Sequence, residues 1–134
     1  MTPALIVVDA ANVVGSVPDG WWRDRKGAAE RLRDSLAGYA RQGLPDGPGV
    51  PSWAAGTPLE WVLVVEGAAR GVEPVPGVRV EPAAGSGDDR IVELVESDGA
   101  GRRCLVVTAD RELRRRVVAA GAEVAGPRTV RPPA

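Results

Sequence analysis

Three short apolar runs, each followed closely by an acidic residue, constrain the fold of this chain more than any other feature. Continuous runs of four or five apolar residues are typical of strands that are buried on both faces of a parallel sheet. Residues 78–80 and 122–125 predict two further short strands. The three runs and their acidic residues are 4–8 with Asp9, 61–65 with Glu66, and 104–107 with Asp110.

Amphipathic segments separate the predicted strands. Residues 24–41 predict a helix whose apolar side chains recur at spacings of three and four. A second helix is predicted from Asp88 or Asp89 to about residue 97, and a third over 111–120. This alternation predicts the α/β class, with a mostly parallel sheet of about five strands sandwiched by helices.

The remaining segments show no helix or strand period. Residues 9–20 and 67–77 are predicted to connect elements. Residues 43–58 are rich in proline and glycine, and a structureless loop of this length in a compact domain is usually functional or disordered. Because 134 residues fit one domain, we assign residues 1–126 to it and 127–134 to a Pro- and Arg-containing C-terminal tail.

The composition excludes several kinds of chemistry. The chain has no histidine, which rules out Ser-His-Asp and Cys-His catalysis and histidine-ligated zinc. Cys104 is the only cysteine, so no disulfide can form within the chain, which is compatible with a reducing compartment. No apolar run approaches the roughly 18 residues of a membrane span, and residues 1–8 lack the features of a secretion signal. We therefore expect a cytoplasmic protein without a membrane partner.

The charge balance bears on nucleic-acid binding. The formal net charge is −1 and the pI is about 5.5, which argues against a protein that coats nucleic acid by bulk charge. All basic residues except Lys26 are arginines, whose planar head groups bind phosphate through two hydrogen bonds at once. The sequence therefore leaves room for an acidic site with local basic contacts.

The acidic residues that follow the strands predict a metal site. Parallel strands end at one edge of a sheet, where ligands bind, so Asp9, Glu66 and Asp110 are expected to converge. Asp88 and Asp89 begin a helix that packs on the same sheet. Such a cluster needs a counter-charge, and Mg²⁺ or Mn²⁺ is the usual one. An aspartate after a strand is also a common helix N-cap, so no one of these residues identifies the site alone.

Four motifs resemble those of a known nuclease family. In chain order they are VVDAANV at 7–13, VVEG at 64–67, GDDRI at 87–91 and VVTADREL at 106–113. Together they resemble the NYN branch of the PIN-like nuclease superfamily over about residues 4–125. In the second motif, Glu66 stands where the family more often has an aspartate.

The resemblance implies a PIN-like domain that binds Mg²⁺ or Mn²⁺ and hydrolyses RNA phosphodiester bonds. It assigns the metal to Asp9, Glu66, Asp88 and Asp110, and it makes Asn12 a polar orienter of the site. Asp88 matches the third motif better than its neighbour does, by its distance to the following isoleucine. The catalytic candidates are Asp9, Asn12, Glu66, Asp88, Asp89 and Asp110.

Basic and aromatic residues beside the predicted site are candidates for RNA binding. Trp21 and Trp22 precede the first long helix, where they either stack on bases or form a hydrophobic staple. Trp53 lies in the Pro/Gly-rich loop, and the sequence does not decide between a lid, a dimer contact and the core. The basic run 114–116 is either a solvated face or a phosphate track. The candidate RNA-binding residues are Arg23, Arg25, Lys26 and Arg111.

The main alternative is a non-catalytic PIN-like module that binds RNA or a protein partner through the same pocket. Control of the site by a homodimer or a regulatory protein is also left open. A haloacid-dehalogenase phosphatase is disfavoured because Ala11 stands where its second aspartate is needed. A receiver domain is excluded because Lys26 is the only lysine and lies far from the last strands.

Overall fold

A computed structural model of the protein describes residues 3–56 and 58–131. The strands are β1 (Ala4–Asp9), β2 (Leu59–Val65), β3 (Val78–Pro82), β4 (Cys104–Val107) and β5 (Glu123–Ala125). They form one sheet in the order β3-β2-β1-β4-β5, and each neighbouring pair is parallel. The predicted α/β class with a parallel sheet is confirmed.

Helices cover both faces of the sheet. Successive residues of the central strands alternate between two hydrophobic clusters, as the side-chain period of a strand requires. In β1, Ile6 and Val8 join one cluster, whereas Leu5 and Val7 join the other. The first cluster packs against α1 and α2, and the second against α3 and α4. The helices are α1 (Ala10–Gly15), α2 (Arg25–Gln42), α3 (Gly87–Glu96) and α4 (Arg111–Ala119).

The three predicted helices are present, but α1 was predicted as part of a loop. Its six residues are too few to show a helical period, and the side chain of Asp9 caps it by accepting a bond from the backbone N–H of Asn12. Within residues 3–56 and 58–131, no helix is both long and apolar enough to cross a membrane.

The Pro/Gly-rich segment folds back onto the sheet. Leu44 and Ala54 are fully buried in the cluster beneath α2, and a parallel bridge joins Leu44 to Ala55. The indole N–H of Trp53 donates to the carboxylate of Glu123, 2.8 Å away, and the guanidinium of Arg103 lies over its ring. These two partners stand at the starts of β4 and β5, so Trp53 lies at the opposite edge from the acidic residues and is not a lid.

The residues after β5 also pack on the domain. Val130 is buried in the same cluster as α2. The guanidinium of Arg131 donates to the carbonyls of Val13 and Val14 at the end of α1, and it pairs with Asp19. This contact fixes the carboxyl end of α1 and the segment that follows it.

Candidate active site

The topology creates a crevice between β1 and β4. After β1 the chain continues into α1 on one face of the sheet, and after β4 it continues into α4 on the other face. In open parallel sheets, ligands bind outside the carboxyl ends of the strands at this reversal. Asp9 ends β1 and Asp110 follows β4, so two of the predicted site residues flank the crevice.

Hydrogen bonds lock the two sides of the crevice together. One carboxylate oxygen of Asp9 accepts from the hydroxyl of Thr108, at 2.9 Å, and the other accepts from the backbone N–H of Asn12, at 3.4 Å. The side-chain oxygen of Asn12 accepts from the backbone N–H of Ala109, at 2.8 Å. Asn12 therefore ties the loop after β4 to the start of α1.

Asp9 is a buried acid with an unusual proton affinity. Its side chain lies in the crevice, and the residue is only 5% exposed. Burial raises its pKa to about 6, the bonds from Thr108 and Asn12 oppose the rise, and the charges of Asp88 and Glu66 add to it. Asp9 can therefore exchange a proton near neutral pH, and a cation beside it would favour its charged form.

The start of α3 brings two more carboxylates to this edge. A side-chain oxygen of Glu66 accepts from the backbone N–H of Gly87, at 3.1 Å, so Glu66 joins the end of β2 to the start of α3. Ser86 caps α3 by accepting from the N–H of Asp88, at 3.1 Å. Asp88 is half-buried, and burial, Asp110 and Glu66 raise its pKa in that order. The negative charges of four carboxylates therefore interact at this edge, those of Asp9, Glu66, Asp88 and Asp110.

Asp110 has a structural role as well as its place at the edge. Its side chain caps α4 by accepting from the N–H of Leu113, at 2.9 Å, and its own N–H donates to the hydroxyl of Thr108, at 3.2 Å. Thr108 thereby contacts both acidic residues of the crevice. Each of these aspartates is an N-cap, so its carboxylate has a structural role whether or not it also acts in a site.

Asp89 stands apart from the other acidic candidates. Its side chain is 76% exposed and forms an ion pair with Arg116 of α4, at 3.0 Å. The structure brings Asp9, Glu66, Asp88 and Asp110 to one edge, and it directs Asp89 to a neighbouring cation.

The four basic candidates differ in their surroundings. Arg25 lines a cleft that also contains Glu66, and its guanidinium lies 5.4 Å from the ring centre of Trp21. Arg23 lies over the ring of Trp22, and exposed Lys26 pairs with a glutamate of its own helix, at 3.5 Å. The fourth candidate, exposed Arg111, directly follows Asp110 and begins α4.

The run 114–116 is committed to contacts within the protein. Arg114 donates to the carbonyl of Thr108, at 2.8 Å, and Arg115 pairs with Glu112. With Arg116 bound to Asp89, the structure disfavours a phosphate track along this helix. Sequence reasoning missed these contacts, since charge spacing does not say which of several carboxylates an arginine meets.

The oxygen donors suit a hard divalent cation, although they do not form a closed cage. Within residues 3–56 and 58–131, no group of three or more Cys, Asp or Glu side chains is placed to hold a metal ion. Backbone N–H groups engage oxygens of Asp9, Glu66 and Asp110. Mg²⁺ usually takes one or two protein carboxylates and keeps several waters. The arrangement fits that mode of binding, and an ion there would offset the mutual repulsion of the carboxylates.

Thr108→Val is expected to destabilise the protein by about 1–2 kcal/mol, because the valine leaves an acceptor of Asp9 and the N–H of Asp110 without their partner. Urea unfolding at neutral pH measures the loss. Thr129→Val is the control, since that hydroxyl donates only to a turn carbonyl, at 2.7 Å. A loss no larger than that of the control would contradict the bridging role of Thr108.

Comparisons with known proteins bear on the fold. No family model matches the chain, and no curated protein matches it. Among solved structures, the fold is similar to that of Rae1 (YacP) from Bacillus subtilis, seen in a crystal structure of a mutant form. The TM-score is 0.65 and the identity 19%, over 93% of this chain and 70% of that one. The likeness shows that the two chains share a fold, here an α/β fold built on a five-stranded parallel sheet.

Proposed function

We propose that the protein is a ribonuclease that hydrolyses RNA phosphodiester bonds with Mg²⁺ or Mn²⁺ at the edge formed by Asp9, Glu66, Asp88 and Asp110. One or two of these carboxylates would contact the ion directly, and the others would contact it through its bound waters. The observation that carries the proposal is the mutual repulsion of these four carboxylates at the β1–β4 crevice. Burial and neighbouring carboxylates raise the pKa of Asp9 to about 6 and also raise that of Asp88. Maintaining such a cluster costs stability, and binding a cation is the function that explains it.

The residues in and around the acidic cluster have different roles in the proposed reaction. When bound, the ion supplies an activated water and stabilises the leaving oxygen. Thr108 and Asn12 hold Asp9 in place, and the N–H of Gly87 holds Glu66. Since the chain has no histidine, a carboxylate of this edge would take the proton that the attacking water loses.

A non-catalytic module is the second candidate. The observation that favours it is the lack of three acidic side chains placed together for one ion in the described part of the chain. Such a module would bind RNA at the same edge without turning it over. The two candidates differ in the response of RNA cleavage to single carboxylate substitutions.

Two adjacent aspartates provide the test. Asp88→Asn removes a carboxylate that faces the cluster, so it is expected to lower metal-dependent cleavage of a labelled RNA at least about tenfold. Asp89→Asn removes an exposed carboxylate of the same helix turn that pairs with Arg116, so it is expected to change cleavage by less than about threefold. Equal effects of the two substitutions would argue against the proposed metal set.

A further inference from the structure

A cleft of about 370 Å³ opens beside the acidic edge. It lies between α1, the beginning of α2, the turn after β2 and the loop before α3. We propose that this cleft receives one unstacked base of a single-stranded RNA, next to the phosphate that the carboxylates act on. The proposal rests on the proposed function and names its substrate class. The residues that define the cleft are Ala10, Ala11, Trp21, Arg25, Glu66 and Gly85.

The walls of the cleft suit a flat aromatic ring. Alanine and glycine from all four of these segments line it, so small residues leave most of the space open. Trp21 provides an aromatic surface, and its ring also packs against the core beneath α2. Aromatic side chains and arginine planes are the surfaces on which proteins stack single-stranded bases. The volume lies within the range of small-molecule sites.

The charges at the ends of the cleft suit a nucleotide. The guanidinium of Arg25 lies over Trp21 and has no carboxylate partner among residues 3–56 and 58–131. By contrast, Arg79 and Arg116 each form an ion pair with a carboxylate. A phosphate of the bound strand would supply the missing counter-charge to Arg25.

Glu66 connects the cleft to the acidic edge at which the proposed cleavage occurs. Its carboxylate both lines the cleft and belongs to the acidic edge, where it contributes to the raised pKa values of Asp9 and Asp88. A base in the cleft therefore places its own phosphates next to the carboxylates. Bases that are stacked and paired in a duplex cannot enter, so the cleft selects single strands.

Two glycines allow a matched test of the cleft. A Cβ added to Gly85 meets no atom within 4 Å, and the backbone there does not have a positive φ, so a substitution starts without a clash at Cβ or backbone strain. Gly85→Leu narrows the cleft, whereas Gly47→Leu adds the same side chain to an equally open position in the Pro/Gly-rich segment. Binding of a short fluorescein-labelled single-stranded RNA is measured by anisotropy in EDTA, so that cleavage does not enter.

Gly85→Leu is expected to weaken single-strand binding about fivefold or more, which is the effect of losing one stacked base. Gly47→Leu is expected to bind as the wild type does, and a duplex of the same sequence is expected to bind more weakly than the single strand. Arg25→Gln, at an exposed position, provides a second variant and is expected to weaken binding and reduce its salt dependence.

The proposal is overturned if Gly85→Leu and Gly47→Leu, both folded by circular dichroism, bind the single strand equally. It is also overturned if the duplex binds as tightly as the single strand. Because these measurements need no turnover, a protein that binds through the cleft but does not cleave would refute the proposed function and leave the base pocket standing.

Discussion

Asp9→Asn is expected to abolish RNA cleavage and, at the same time, to stabilise the metal-free protein. The substitution removes a proposed metal ligand. Since the loss of an outer-shell partner of a metal already costs 10- to 100-fold, we expect cleavage to fall at least about 100-fold. The direction of the stability change follows from the proton affinity of the buried side chain.

The sign of the stability change depends on which state binds the proton more tightly. The pKa of Asp9 is about 6 in the folded protein and near its ordinary value of 3.8 in the unfolded chain. The folded state therefore holds the proton more tightly, and the free energy of unfolding falls as the pH rises from about 4 to 6. At neutral pH the buried charge costs about 3 kcal/mol.

The neutral asparagine avoids this cost. It replaces one carboxylate oxygen of Asp9 by an NH₂ group, so the acceptor that now bonds the hydroxyl of Thr108 becomes a donor. We expect a net gain of about 1–2 kcal/mol in the metal-free protein at pH 7, measured by urea unfolding in EDTA, and no gain at pH 4. The expected gain is specific to the buried position, so Asp89→Asn is the control. A variant that cleaves RNA normally, or that is less stable than the wild type at pH 7, would contradict the role given to Asp9.

Added metal is expected to stabilise the wild type strongly, and more so at neutral pH than in acid. At a concentration of about 100 times its dissociation constant, an ion that binds only the folded state adds about 2.7 kcal/mol. For a chain of this size the melting temperature then rises on the order of 10 °C. Below pH 6 the proton on Asp9 competes with the ion, so the rise is expected to shrink.

Scanning calorimetry with Mn²⁺ or Mg²⁺ measures this rise, and NaCl at equal ionic strength controls for general screening of the carboxylates. Asp9→Asn is expected to lose most of the metal-induced rise. If NaCl and the divalent salts shift the melting temperature equally, the edge does not bind a specific ion.

Strongly apolar segments were predictable from the sequence, and the reason is physical. β4 is predicted at its observed bounds because four apolar residues in a row are buried on both faces. The convergence of Asp9, Glu66 and Asp110 followed from parallel strands having their carboxyl ends at one edge. These predictions depend only on local pattern and on general rules of sheet topology.

The parts that were missed depend on contacts distant in sequence. The hydroxyl of Thr108 meets Asp9 across 99 positions, and Arg131 reaches the end of α1 across more than 110. The sequence did not show how the Pro/Gly-rich loop predicted at 43–58 packs, because proline and glycine hide the burial of Leu44 and Ala54. Thr57 and residues 132–134 lie outside the described residues.

Asp88 and Asp89 are neighbours in sequence but differ in their surroundings. The resemblance favoured Asp88 by its spacing to the following isoleucine. In the structure the charges of Asp110 and Glu66 act on Asp88, whereas Asp89 pairs with Arg116. A helix start turns adjacent side chains in different directions, so only one of two neighbours faces the sheet edge.

The most direct test of the central claim is cleavage of a labelled mixed-sequence RNA by the purified protein in Mn²⁺ or Mg²⁺, compared with EDTA and with Asp110→Asn. Leu113 needs a cap acceptor, which the asparagine oxygen still supplies, so the variant is expected to fold. We predict cleavage that requires the metal and is lost in Asp110→Asn. Cleavage that persists in EDTA or in a folded Asp110→Asn variant would contradict the account.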